Sequence, residues 1–208
     1  MIAGEAALSN WDAGMDMYIY GKLGNLIMTK EGINVLMTNL TGKVPPILQR
    51  LDYIRFNGEA AGYLHDLTLT GLFYTGAGMV KTDVMMSIDE QSMSRTYSGS
   101  VASADLDLGK LLNQEKKFGK VDFNVELKGF NYKNRYPESY IKGIISSFEY
   151  SQYQYENIML DGVYKDGGFN GRLSMDDANG SVQIDGNFNV AKTCLLYTSD
   201  AADELDGV

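Results

Sequence analysis

The chain has 208 residues and a formal charge of −9, enough length for one large domain or two small ones. Its acidity argues against nucleic acid, whose phosphates need a basic face. Twenty-three glycines and 14 tyrosines against only 3 prolines suit a sheet rich in hairpins, and 11 methionines supply adaptable apolar surface. No stretch approaches the roughly 20 apolar residues that span a bilayer, and the N-terminus lacks a basic region followed by an apolar one.

Residues 1–13 carry little periodic signal and read as a lead-in. From Met15 to Leu23, apolar residues and Gly21 alternate with Asp16, Tyr18, Tyr20 and Lys22, which predicts a strand. Leu26–Thr29 and Ile33–Leu40 read as continuations of the sheet, joined by a tight turn at Lys30-Glu-Gly32. Pro45-Pro46 ahead of Ile47–Leu51 suits a short helix, because proline fits a first helical turn.

Strands follow at Tyr53–Gly62, Leu67–Tyr74, Val80–Ile88 and Thr96–Ala102. The second places Leu67, Leu69, Gly71 and Phe73 on one face, and Val84 and Met86 alternate likewise in the third. Asp105–Asn113 reads as a short helix behind an acidic cap. In Lys120–Gly129, Val121, Phe123, Val125 and Leu127 alternate with Asp122, Asn124, Glu126 and Lys128. Tyr140–Tyr150 and Tyr153–Tyr164 pair across Ser151-Gln152. One phrase then recurs three times: Ile158, Leu160 and Gly162; Phe169, Gly171 and Leu173; Val182, Ile184, Gly186 and Phe188. Each time the glycine falls on the apolar face. The expected fold is mainly β: an elongated, curled antiparallel sheet, gutter-like, with one or two short helices.

No enzyme signature emerges. Gly76–Thr82 has glycines before Lys81-Thr82, but it joins two strands and lacks the glycine that precedes the lysine of a phosphate loop. The acidic spacing in Asp176–Gly180 is wrong for an EF-hand, and it reads as a turn. Asn39 and Asn179 begin glycosylation-type triplets and also read as turn residues. His65 is the only histidine, no Gly-x-Ser-x-Gly elbow occurs, and neither a metal nor another cofactor is expected.

The alternating strands with an inward glycine, the segment Asp105-Leu-Asp-Leu-Gly-Lys-Leu-Leu112 and the stretch Tyr153–Gly162 together resemble the TamB family of translocation and assembly module proteins, within the AsmA-like group. Met175-Asp-Asp177 and Ile184-Asp-Gly186 extend the resemblance, which covers residues 14–192. It implies a segment of a periplasmic β-groove belonging to a parent anchored in the inner membrane. Such a groove is expected to carry phospholipid between the inner and outer membranes and to support outer-membrane biogenesis, with acyl chains as its partners. A barrel of the outer-membrane assembly type is a further partner implied, through regions outside this chain. The groove candidates are Leu67, Leu69, Phe73, Val84, Met86, Val121, Phe123, Val125, Leu127, Ile158, Leu160, Phe169, Leu173, Val182, Ile184 and Phe188. Two other readings stand beside it: a scaffold that offers strand edges to outer-membrane proteins, and a plain closed β-sandwich or barrel.

Cys194–Glu204 resembles the translation of a sequencing-library adapter, so residues 193–208 are expected to be foreign to the fold. The only cysteine lies there, together with Asp200, Asp203, Glu204 and Asp206. Truncation after Lys192 should therefore leave the free energy of urea unfolding within about 0.5 kcal/mol, the range of neutral surface changes. A loss of several kcal/mol would make the tail a working part of the structure.

Overall fold

Eleven strands pair in strict chain order, each antiparallel to the next, in a computed structural model that describes residues 4–10, 12–13, 16–41, 44, 46–89, 91–92, 94–131 and 138–189. They are β1 (Gly4–Ser9), β2 (Tyr18–Thr29), β3 (Tyr53–Tyr63), β4 (Asp66–Thr75), β5 (Gly78–Asp89), β6 (Ser94–Asp107), β7 (Phe118–Asn131), β8 (Glu138–Tyr150), β9 (Tyr153–Lys165), β10 (Gly168–Asp177) and β11 (Gly180–Asn189). β1 and β11 do not pair with each other, so the sheet curls without closing. At about 4.8 Å per strand it runs on the order of 50 Å across its strands. The described residues form one sheet, which is neither the sandwich nor the closed barrel.

Among the described residues two α-helices interrupt the meander. One corrects the sequence reading: α1 (Lys30–Thr41) occupies the stretch expected to be a turn and a strand. Ile33 and Met37 stand one helical turn apart and face the core, whereas Val35, which a strand would place beside them, is 63% exposed. The Thr29 hydroxyl accepts the Gly32 N–H at 3.4 Å, and Glu31 supplies the acid favoured in a first turn. Within the expected Pro45–Leu51 helix only a 3₁₀ turn, Leu48–Arg50, forms. The second helix, α2 (Leu108–Leu112), starts later than the Asp105–Asn113 reading because β6 continues to Asp107, which caps it: Asp107 Oδ1 accepts the Lys110 N–H at 2.9 Å, and Asn113 ends the helix in the left-handed region. Within the lead-in, Gly4–Ser9 form an edge strand on β2. The strand expected from Met15 begins at Tyr18, with Met15 itself outside the described residues. The Pro137 loop and the 193–208 tail also lie outside them.

The buried core sits along one lip of the curl, not at its centre. Ile33, Leu51, Ile54, Ala77, Leu106, Leu111 and Val121 form it, drawn from both helices, the β4–β5 hairpin tip and the adjoining strand ends. The backbone ties these parts together: Asp107 donates its N–H to the Ala77 carbonyl at 2.6 Å, Lys30 to Asp52 at 3.0 Å and Ser151 to Lys117 at 2.7 Å. The Arg50 guanidinium donates to the Leu111 carbonyl, joining the 3₁₀ turn to α2. Bulges in β2 and β6 and between β7 and β8 lie towards this lip, where they increase local twist.

Inward glycines let neighbouring strands approach closely. Gly58 lies opposite Gly71, and a Cβ on Gly58 would stand 2.3 Å from the Thr70 carbonyl oxygen and 2.6 Å from the Gly71 Cα. The Phe56 ring lies over both, 2.7 Å from where a Gly71 Cβ would be, and packs on Phe73 with centroids 4.7 Å apart. Gly162 and Gly171 are likewise opposed, and the Phe169 ring lies 2.7 Å from where a Gly162 Cβ would be. Aromatic rings therefore lie against these glycines on the apolar face. Gly58→Ala or Gly71→Ala should each cost about 1–3 kcal/mol by overpacking. Gly186→Ala has nothing within 4 Å and should be near neutral. Equal denaturation midpoints for all three would remove close strand approach as the reason for these glycines.

Candidate functional site: the apolar face

Directly opposed residues in an antiparallel ladder project to the same side, so the register assigns every strand position to a face. From Leu67, the side runs through Met86, Tyr97, Gly129, Ser139, Tyr164 and Phe169 to the Phe188 position. From Leu69 it runs through Val84, Gly99, Leu127, Ile141, Gly162, Gly171 and Gly186. A third line passes from Gly71 through Thr82, Val101, Val125, Gly143, Leu160, Leu173 and Ile184. A fourth contains Phe73, Val80, Ser103, Phe123, Ile145, Ile158, Met175 and Val182, with Val121 beyond it next to Leu106. All the groove candidates named from sequence therefore lie on one continuous face.

Their surroundings differ. Val121 belongs to the buried core, and Phe73 and Phe123 pack against it, so these three help to build the helical lip. Leu67, Leu69, Val84, Val125, Leu127, Leu160, Phe169 and Leu173 are half-buried, and Ile158 is 9% exposed. Met86, Val182 and Ile184 are over one-third exposed. The same face includes Ile19, Leu23, Leu26, Phe56, Ile141, Ile145 and Met175, which the sequence selection omitted although they alternate in the same way.

Charge is almost absent from this side. Its charged strand residues are Arg95, opposite Ile88 and Asn131, and Asp177, opposite Gly180, and they stand at opposite strand ends. The polar groups between them are mostly satisfied locally. The Ser103 hydroxyl donates to the Met79 carbonyl at 2.6 Å, and the Tyr97 and Ser139 hydroxyls bond to each other. Thr82 Oγ1 is buried without a hydrogen-bond partner among the described residues. Such a surface can hold apolar chains. Among the described residues no group of His, Cys, Asp or Glu could hold a metal ion.

The opposite face carries a cross-strand ladder invisible without the register: Glu5, Lys22, Glu59, Thr70, Asp83, Ser100, Glu126, Lys142, Asp161, Arg172 and Asp185 stand side by side. Lys142 Nζ lies 3.2 Å from Asp161, Arg172 Nε lies 2.8 Å from Asp185, and the Thr70 hydroxyl donates to Asp83 at 2.9 Å. The Tyr140 hydroxyl donates to Asp161 at 2.7 Å and, with the Lys142 ammonium, holds that carboxyl below its usual range. Arg172, then the Gln183 amide, does the same for Asp185. The face is not uniformly polar. Met85, Tyr140, Ile144 and Met159 are exposed there, and Met85, Phe130, Tyr140 and Val163 line a shallow depression of about 440 Å³.

Compared with known proteins, the chain matches no family model, no curated protein and no solved structure.

The ladder's acid dependence follows from the direction of these shifts. Carboxyls lowered in the folded state add stability above their unfolded value, near pH 4, and lose it as pH falls through their folded values. The urea midpoint should fall as pH drops below about 4, and the fall should be shallower in the Asp161→Asn/Asp185→Asn double variant. Identical pH profiles would mean that the ladder contributes nothing, as many exposed pairs do.

Proposed function

We propose that this chain is a segment of a periplasmic conduit whose apolar face carries phospholipid acyl chains between membranes and supports outer-membrane biogenesis. The observation that carries the reading is one uncharged apolar side running across all eleven strands, with charges only near its two lips. Acyl chains need a dry wall and no specific polar partner, and half-buried aliphatic and aromatic side chains supply that. The unclosed sheet supports it too, because repeats can continue from either edge while the trough stays accessible. The role is non-enzymatic, and the resemblance to the TamB family supplies the envelope location. A second reading, a scaffold for outer-membrane proteins, is favoured by the edges of β1 and β11, which pair with no further strand among the described residues.

The test is lipid retained through purification and measured by mass spectrometry. Leu160→Arg and Leu69→Asp place charges on the apolar side, where an acyl chain cannot pair them, and should lower bound phospholipid at least about tenfold. Asn124→Asp lies on the opposite face and should retain it. Arg172→Glu is a poor outward control despite its exposure, because it would set three acids in a row with Asp161 and Asp185. Matching circular dichroism among the variants excludes unfolding as the cause. Equal lipid loss from charges on either face would refute the conduit.

A further inference from the structure

At the strand ends that carry the helical lip, but beyond its buried core, β9 and β10 form an aromatic corner with an acid in it. The rings of Tyr153 and Tyr155 stand 4.6 Å apart between centroids at an interplanar angle of 63°, edge towards face. Together with Met175, Asp177 and Val182 they line a hollow of about 280 Å³. Met175 and Val182 stand directly opposite each other and also belong to the fourth line of the apolar side, so the hollow adjoins the trough.

The corner is held in place by its own hydrogen bonds. The Tyr153 hydroxyl donates to Asp177 Oδ2 at 3.1 Å and accepts from the Asn179 side-chain amide, while the Asn179 N–H donates to Asp177 Oδ1 at 2.7 Å. Asn157, in the left-handed region, donates its side-chain amide to the Asp176 carbonyl at 3.1 Å and ties β9 to the same turn. Both donors to Asp177 are neutral, and no base pairs with it among the described residues. Its negative charge is therefore unspent, and a carboxylate can accept about four hydrogen bonds. Aromatic faces and a carboxylate both attract a cation. A hard metal ion needs several oxygen ligands, which one carboxylate among rings and a thioether does not supply. An organic cation, with a charged centre inside an apolar skin, suits both the rings and the acid.

We infer that the Tyr153–Tyr155–Asp177 corner binds the ammonium end of a phospholipid headgroup, with the acyl chains leaving it past Met175 and Val182 along the trough. This inference rests on the conduit reading and gives it a substrate class: lipids whose headgroup carries an amine or a trimethylammonium group. The adjoining uncharged wall is what favours a lipid over a soluble amine or a lysine-bearing peptide, since only an amphiphile uses the corner and the trough together.

The test is isothermal titration of the full chain with two short-chain lipids below their micelle concentrations, dihexanoyl phosphatidylcholine and dihexanoyl phosphatidylglycerol, which share their tails and differ in the cation. The choline lipid should bind about tenfold more tightly. Asp177→Asn and Tyr155→Leu should each bring it down to the affinity of the glycerol lipid. Tyr155→Phe keeps the ring and should keep the preference, which a merely structural role for the tyrosine would not require. Matching circular dichroism shows that the variants are folded. Equal binding of both lipids by the wild-type chain would overturn the headgroup site and leave the conduit standing, whereas binding of neither would overturn both. A preference that survives in Asp177→Asn and Tyr155→Leu would place the selection elsewhere and refute the corner. Tailless phosphocholine binding as tightly as the choline lipid would make this a site for soluble amines, and a lysine-bearing peptide displacing the choline lipid at equal concentration would make it a peptide site; either result would also overturn the proposal.

Discussion

Everything in this molecule depends on register. A strand shifted by one residue presents its apolar set to the opposite side, and in a meander each strand is the template for the next. The pairing from β1 to β11 preserves face identity throughout, even across the bulges, where the strands resume with apolar residues opposite apolar ones: Leu26 with Phe56, Leu106 with Val121. Apolar contact on one side and the charge ladder on the other penalise the same slip. Sliding β10 by one residue would remove Arg172 from between Asp161 and Asp185 and separate Leu173 from Leu160 and Ile184. Each exposed ion pair is weak alone. Its value lies in discriminating between registers.

A single curled layer cannot bury both of its faces, so stability is concentrated where a second layer exists. The helical lip supplies it, with α1, the 3₁₀ turn and α2 folded over the β4–β5 hairpin tip and burying Ile33, Leu51, Ala77 and Leu111. The remaining apolar side is only half-covered, by its own neighbours and by rings lying over glycines. This asymmetry has a functional consequence under the conduit reading: one lip is built for rigidity, and the rest of the apolar side remains available to ligand.

Strands and faces were legible in the sequence because a period of two survives translation into structure without tertiary help; Val121 to Leu127 and the triple Gly162, Gly171, Gly186 phrase are the clearest cases. α1 was not, because Lys30-Glu-Gly32 has turn composition and Ile33, Val35 and Met37 satisfy an alternating template as well as a helical one. Only burial of Ile33 with exposure of Val35 separates them. β1 was silent because Gly4, Ala6 and Ala7 have little side chain to alternate. The ladder and the Phe56 and Phe169 rings over glycines depend on which residues stand opposite, information that a single strand does not carry. Ile144 and Met159 break the alternation outright, placing apolar side chains on the wet face beside Lys142 and Asp161.

The central claim, that the apolar side and not the sheet in general carries lipid, is tested most directly by photocrosslinking scanned along β7. A photoreactive side chain placed in turn at each position from residue 124 to 128, in the presence of phospholipid vesicles, should capture lipid at Val125 and Leu127 and not at Asn124, Glu126 and Lys128. A period of two in the captured lipid is the predicted result. Uniform labelling of both sets, or none at either, would contradict it.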